Sequence, residues 1–314
     1  MDYKEWLEKG GSEWKSKSEY QPHKRYILEN FQCPGDILML TACVRDIKRW
    51  KPDYEIDIRT SHDDLFNNNP NITKLDGDDP SVWKLRMNYE IIHQSNQNMN
   101  KHFIHGFIQD FNEQTGGSIK LTEFKPDVHL TDDEKNIPVF PDQPDKFVVI
   151  NAGGKTDYLT KCWWDEAWQA VVNLCPDIQF IQIGKRDKKD NGAGKSMHSD
   201  LEGDNIINKV DKTSMREMVR LIYQSSGTVS VVTTVMHLAA AFDKHAAVIA
   251  GGHEPWWWER YPGHDYFHTI GQLKCCRTGG CWEKDCKNKN EQDHQKCLEL
   301  INPADVANSI KSWF

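Results

Sequence analysis

From residue 25 onward the chain alternates short apolar runs with longer stretches at helical spacing. RYILENF (25–31) has the length and content of a strand, and QCPGD (32–36) breaks it. Residues 37–50, ILMLTACVRDIKRW, set apolar side chains at helical spacing and finish on Lys48, Arg49 and Trp50. Pro52 ends that helix, and EIDIR (55–59) predicts the next strand. Strand, turn, helix and strand within about 35 residues form a βαβ unit, which implies a parallel sheet.

The alternation then blurs. Residues 62–66 open a short helix, 69–72 form a turn, 73–75 a short strand, and 97–113 a helix with Phe103, Phe107, Ile108 and Phe111 along one side. Residues 125–145, rich in Pro and Asp, are the best linker candidate. A second alternation follows at once: strands at 146–150, 178–183 (closed by Gly184), 205–210, 227–232 and 246–250. Between and after them come helices at 163–174, 214–225, from 237, and at 303–314. Two βα-rich halves predict a two-domain α/β architecture, with domains at 1–140 and 141–314. Residues 1–24, polar and dotted with Trp and Tyr, read as an arm outside the core.

Composition narrows the function. At 314 residues the chain suits two domains, and 38% hydrophobic with 27% charged residues predicts folding. The net charge of −8 argues against a nucleic-acid binder, which needs a basic face to displace counterions. No run approaches the roughly 18 apolar residues that span a bilayer. The start, MDYKEWLEKGGSEWKSKSEY, lacks the apolar core of a secretory signal, so the expected location is cytoplasmic.

In doubly wound sheets ligands sit at the carboxyl ends of strands, where helix N-termini offer unpaired N–H groups. Three loops fit. In CPGD (33–36), Gly35 permits a tight turn and Asp36 stands at a helix start, as a cap or as a functional carboxylate. No G-x-G-x-x-G follows the strand, which disfavours an NAD enzyme. In NAGGKTDYLTK (151–161), Gly153 and Gly154 allow close backbone approach, and Lys155 and Lys161 supply charge; a plain connector fits equally well. In TTVMHLAAA (233–241), the hydroxyls of Thr233 and Thr234 open an Ala-rich helix that carries His237 in its first turn.

Four segments together carry a family resemblance. GDILMLTACVRDIKRWKPDYEIDIRT, NAGGKTDYLTKCWW, NKVDKTSMREMVRLI and VSVVTTVMHLAAAF occur in the order and spacing of the heptosyltransferases. These are the ADP-heptose-type enzymes of glycosyltransferase family 9. The resemblance implies the GT-B fold, two facing Rossmann-like domains with parallel sheets and an interdomain cleft. It also implies inverting transfer of a sugar, a heptose in the best-known members, from a nucleoside-diphosphate donor to an acceptor hydroxyl. Asp36 takes the role of general base, with Gly35 beside it on the acceptor side. Lys161, Thr233, Thr234, Met236 and His237 fall on the donor side with Gly153, Gly154 and Gly184. An ADP-sugar donor, a glycan, lipid-linked or protein acceptor, and a homo-oligomer are the implied partners. No cofactor is implied for the chemistry.

The chain departs from the family pattern where relatives place Asp, then Ser or Thr, then Gly before Met-His: here stand Val232, Thr233 and Thr234. That departure keeps two alternatives open, a sugar-nucleotide epimerase of similar fold and a non-catalytic binding or assembly protein. After the strand at 246–250, GGHEPWWWERYPGH adds Gly252, His253 and Glu254 as donor-contact candidates, with Trp256, Trp257 and Trp258 either stacking on a ligand ring or packing under the loop. Finally, Cys275, Cys276, Cys281, Cys286 and Cys297 crowd a loop at 275–297. A cytosolic chain does not rely on disulfides, so a structural Zn or Fe site and a set of reduced thiols are the two readings. His294 is a substitute ligand in the first of them.

Overall fold

The structure is a computed structural model and describes residues 23–96, 101–186 and 196–314. The expected arm lies outside the described residues except for its last two, as do positions 97–100 of the expected helix. Two compact units appear: residues 23–95 with 101–129, and residue 96 with 130–186 and 196–314.

Unit 1 is built on three parallel strands, β1 (Arg25–Asn30), β2 (Glu55–Thr60) and β3 (Trp83–Arg86), in the order β2-β1-β3. Helix α1 (Pro34–Trp50) connects the first two and buries Ile37 to Ile47. It begins three residues before the apolar periodicity because Pro34 suits the first helical position, where its missing N–H is no loss. Helix α2 (Gly106–Thr115) places Phe107 and Phe111 in the core, the latter edge-on to Tyr26 at 5.4 Å. The expected strand at 73–75 is irregular chain. The third strand is the less apolar WKLR, recognisable only through its pairing with β1.

In unit 2, helix α3 (Asp132–Asn136) arises from the stretch expected to be a linker. A Thr131/Glu134 capping box starts it, and Glu134 pairs with Arg216 at 2.6 Å. The main sheet has six parallel strands: β4 (Val148–Asn151), β6 (Phe180–Gln182), β8 (Ile206–Asn208), β9 (Gly227–Val231), β10 (His245–Gly251) and β11 (His264–His268). Their order is β11-β10-β9-β4-β6-β8. A two-stranded antiparallel ladder joins β5 (Gly153–Lys155) to β7 (Ser196–His198). Helix α4 (Asp165–Asn173) and helix α9 (Pro303–Lys311) cover one face through Trp168, Val171, Val306 and Ile310. Helix α5 (Met215–Gln224) starts on a Ser214/Glu217 capping box. Helices α6 (Thr234–Ala241), α7 (Trp256–Glu259) and α8 (Lys296–Glu299) complete the unit. No helix among the described residues is long and apolar enough to cross a membrane.

Candidate active site

Strand order decides where loops converge. In unit 2 the chain runs from β4 outward through β6 and β8, then returns to β9 on the other side of β4. The loops after β4 and β9 therefore leave adjacent strands in opposite directions, the switch point at which doubly wound sheets take ligands. Lys161 follows β4, and Thr233, Thr234 and His237 follow β9. In unit 1 the same reversal falls between β1 and β3, and the loop after β1 leads to Asp36.

Asp36 is the third residue of α1 and half-buried. Its carboxylate accepts the Cys33 N–H at 3.1 Å, completing a capping box. Gly35 lies within the first turn of α1, so it takes helical backbone rather than the expected tight turn.

The Gly-Gly pair after β4 is not an open loop. Gly153 and Gly154 pair with His198 and Met197 in the β5–β7 ladder. At Gly184, φ is +152°, and a Cβ would run into the His198 ring, which is what requires glycine there. A Cβ on Gly252 would stand 2.8 Å from Cys276 Sγ, so this glycine admits the cysteine loop against the end of β10. Met236 is fully buried.

Around Lys161 the polar groups are closely engaged. Its ammonium meets Glu254 Oε1 at 2.6 Å, with the two side chains 24% and 12% exposed. Thr160 Oγ1 lies 2.7 Å from His253 Nδ1 and donates to the Glu283 carbonyl at 2.5 Å. Burial pushes the His253 imidazole down to about 4, and the Lys161 charge adds to that. His237 is 3% exposed and shares a 2.8 Å hydrogen bond with the Tyr261 hydroxyl. Burial, then His264 and Lys161, push it down to about 3, so it is neutral near pH 7. One cation, Lys161, thus acts electrically on residues from both the β9 and β10 loops. The positive character of the site comes from that ammonium and from the N-terminus of α6, whose first turn Thr233 caps by accepting the Val235 N–H at 3.4 Å. Thr234 is half-buried beside it.

Of the three tryptophans, Trp258 packs on Trp282 with ring centroids 4.7 Å apart, while Trp256 stacks on His268 at 5.7 Å. Trp258 is buried, and Trp256 and Trp257 are half-buried. Thr160 and Tyr261 lie in loops singled out from the sequence, but nothing there marked their side chains; the fold sets them against His253 and His237.

Cys275, Cys276, Cys281, Cys286 and Cys297 are free thiols. In the 275–297 loop they share one neighbourhood. Cys297 is pushed up to about 11, first by burial and then by Cys286, Cys281 and Cys276. His294 stacks flat on Trp164 at 4.3 Å. Among the described residues no group of three or more His, Cys, Asp or Glu is arranged to hold a metal ion.

The family profile of glycosyltransferase family 9 (heptosyltransferase) matches residues 85–289. Three solved structures are similar in fold. A glycosyl transferase family 9 protein from Veillonella parvula DSM 2008 is 11% identical with a TM-score of 0.67, covering 94% of this chain and 98% of its own. The iron-containing dodecameric glycosyltransferase TibC from enterotoxigenic E. coli H10407 is 16% identical with a TM-score of 0.66, covering 93% and 76%. E. coli ADP-heptose lps heptosyltransferase II is 13% identical with a TM-score of 0.62, covering 92% and 98%. No curated protein matches the chain by sequence.

Proposed function

The chain belongs to glycosyltransferase family 9, the heptosyltransferases, and from that premise we propose that it transfers a sugar with inversion from a nucleoside-diphosphate donor to an acceptor hydroxyl. Asp36 is the general base. An alcohol is a weak nucleophile near neutral pH, so the Asp36 carboxylate takes its proton as the oxygen bonds to the anomeric carbon. The bond from that carbon to the diphosphate oxygen breaks, and its electron pair leaves with the nucleoside diphosphate. Lys161, the hydroxyls of Thr233 and Thr234, and the N–H groups opening α6 meet the growing charge. His237, neutral and held by Tyr261, orients rather than neutralises.

The observation that carries this reading is the convergence at the switch point of unit 2. There the Lys161 ammonium acts on both His237, in the first turn of α6, and His253. An ADP-sugar donor is favoured because TibC was solved in complex with ADP-D-beta-D-heptose. The free thiols favour a reducing, cytoplasmic setting.

TibC also motivates a structural metal in the cysteine loop. Five free thiols on one loop are the donor type that a thiophilic cation binds as thiolates. Cys275, Cys276, Cys281, Cys286 and Cys297 are the residues to hold it once their sulfurs draw together, and its role is to staple the loop.

Purified protein mixed with a panel of nucleotide sugars, with and without acceptor extract, tests the function. Acceptor-dependent release of nucleotide supports transfer. Sugar isomerisation without acceptor supports an epimerase, and absence of nucleotide binding supports an assembly protein. Asp36→Asn is expected to lower turnover by about 10² to 10⁴-fold while donor affinity stays within a few-fold. Full turnover in that variant removes Asp36 from the mechanism.

A further inference from the structure

Among the described residues, five other than glycine have positive φ. Four of them, Asn68, Asp211, Asp243 and Asp293, are of the types that tolerate the left-handed region. The fifth is Trp282, at +56°. A bulky side chain is strained there, and such strain persists only where the surroundings hold the residue from several sides. Trp282 is held in that way. Its backbone N–H donates to the His253 carbonyl at 3.2 Å. Its ring packs on Trp258 and His253, with centroids 4.7 and 5.6 Å away. Its indole N–H donates to the side-chain oxygen of Asn96 at 2.9 Å.

Asn96 is seated against this segment by more than one contact. The same oxygen accepts the Gly280 N–H at 3.2 Å, so both of its lone pairs are in use. Gly279 makes room for it, since a Cβ there would stand 2.5 Å from the Asn96 carbonyl oxygen. A Cβ on Gly280 would collide with the His253 carbonyl oxygen, so the segment is in close backbone contact on that side too. The two hydrogen bonds to Asn96 span 184 and 186 positions of chain.

What the segment holds in turn is the surroundings of Lys161. Three consecutive residues do so. The Cys281 N–H donates to the Gly252 carbonyl at 3.0 Å, the Trp282 N–H to the His253 carbonyl, and the Glu283 carbonyl accepts from the Thr160 hydroxyl at 2.5 Å. Thr160 directly precedes Lys161, and His253 directly precedes Glu254, whose carboxylate meets the Lys161 ammonium at 2.6 Å. Both members of that ion pair are therefore steadied from the backbone of residues 281–283. We infer that Asn96 is a positioning residue of the donor site: by fixing Trp282 in its left-handed conformation, it keeps Lys161 aimed at the diphosphate. Such a group has to be held by a supporting shell to work. The inference rests on the donor-site reading above and adds to it the residue that holds the site in shape.

Calorimetric titration of the wild type, Asn96→Leu, Asn96→Asp and Trp282→Phe with ADP, GDP, CDP and UDP tests it. The nucleoside diphosphate that the wild type binds most tightly is expected to bind Asn96→Leu on the order of tenfold more weakly. Asn96→Asp keeps an acceptor for both N–H groups and should bind as the wild type does. Trp282→Phe loses the indole donor and should bind more weakly, like Asn96→Leu. Glu134→Gln, which breaks the ion pair to Arg216, is the control for a general loss of stability: its melting temperature should fall and its affinity should not. Wild-type affinity in Asn96→Leu, or weakening of the same size in Asn96→Asp or Glu134→Gln, overturns the inference and leaves donor binding intact. Should Asn96→Leu not fold, Trp282→Phe decides: weaker binding supports the inference and wild-type affinity overturns it. A wild type that binds none of the four overturns the donor-site reading, and this inference with it.

Discussion

Burial keeps three imidazoles of unit 2 uncharged: His237 at about 3, and His253 and His264 at about 4, against an ordinary value of 6.5. Each binds its proton more weakly folded than unfolded, so between those values and 6.5 the unfolded chain holds more protons and stability rises with pH. The contribution is complete above pH 6.5 and is lost as pH falls toward 4. Lowering pH from 7 to 5 is expected to cost about 2 kcal/mol for each such histidine. Thermal unfolding at pH 7, 6 and 5 should show this fall, and His264→Asn should make it shallower. A melting temperature that does not change over that range would count against the burial argument. At this scale the sequence was informative where a residue sits in a motif, as with His237 and Lys161. It was silent on Tyr261 and Thr160, because a hydroxyl that orients a buried imidazole is chosen by proximity across 24 and 93 positions of chain.

Helix α6 separates two uses of a hydroxyl. Thr233 is its N-cap and serves the backbone, while Thr234 is the first helical residue and half-buried. Thr233→Ala should lower stability by about 1 kcal/mol through the lost cap. Thr234→Ala should leave the melting point in place and weaken nucleoside-diphosphate binding. Paired denaturation and titration of the two variants checks this; equal stability losses with unchanged binding would make both threonines structural. Elements with long periodicity were legible in advance: α1, α4 and α5 lie where apolar spacing puts them, with the start of α1 set by Pro34 and that of α5 by the Ser214/Glu217 capping box. Strands β5 and β7 are three residues long, too short for any alternation to register, and Gly153-Gly154 read as open loop because glycine has no side chain with which to signal pairing.

For the molecule as a whole, the cysteine loop is the main brace of the candidate donor site. Its backbone ties to Gly252 and His253, and the Glu283 carbonyl holds Thr160 next to Lys161. Far away in the chain, Asn96 joins it: its side-chain oxygen accepts from the Trp282 indole at 2.9 Å. If a metal staples that loop, protein purified without tag or chelator should contain about one Zn or Fe per chain, and removing the metal should lower the melting temperature and weaken donor binding together. Elemental analysis with less than a trace of either ends the metal reading. Light scattering on the same preparation measures whether the mass exceeds the 36.4 kDa of one chain.

The sequence by itself determined the alternation of strand and helix, the parallel α/β class and the family, because these follow from periodicity and from motifs that local chain geometry preserves. Tertiary structure alone decided the strand order β11-β10-β9-β4-β6-β8, and through it which loops share a neighbourhood. That is why Glu254 meets Lys161 and Tyr261 meets His237: pairing across a sheet is set by the packing of whole elements, which leaves no trace in the spacing of residues along the chain.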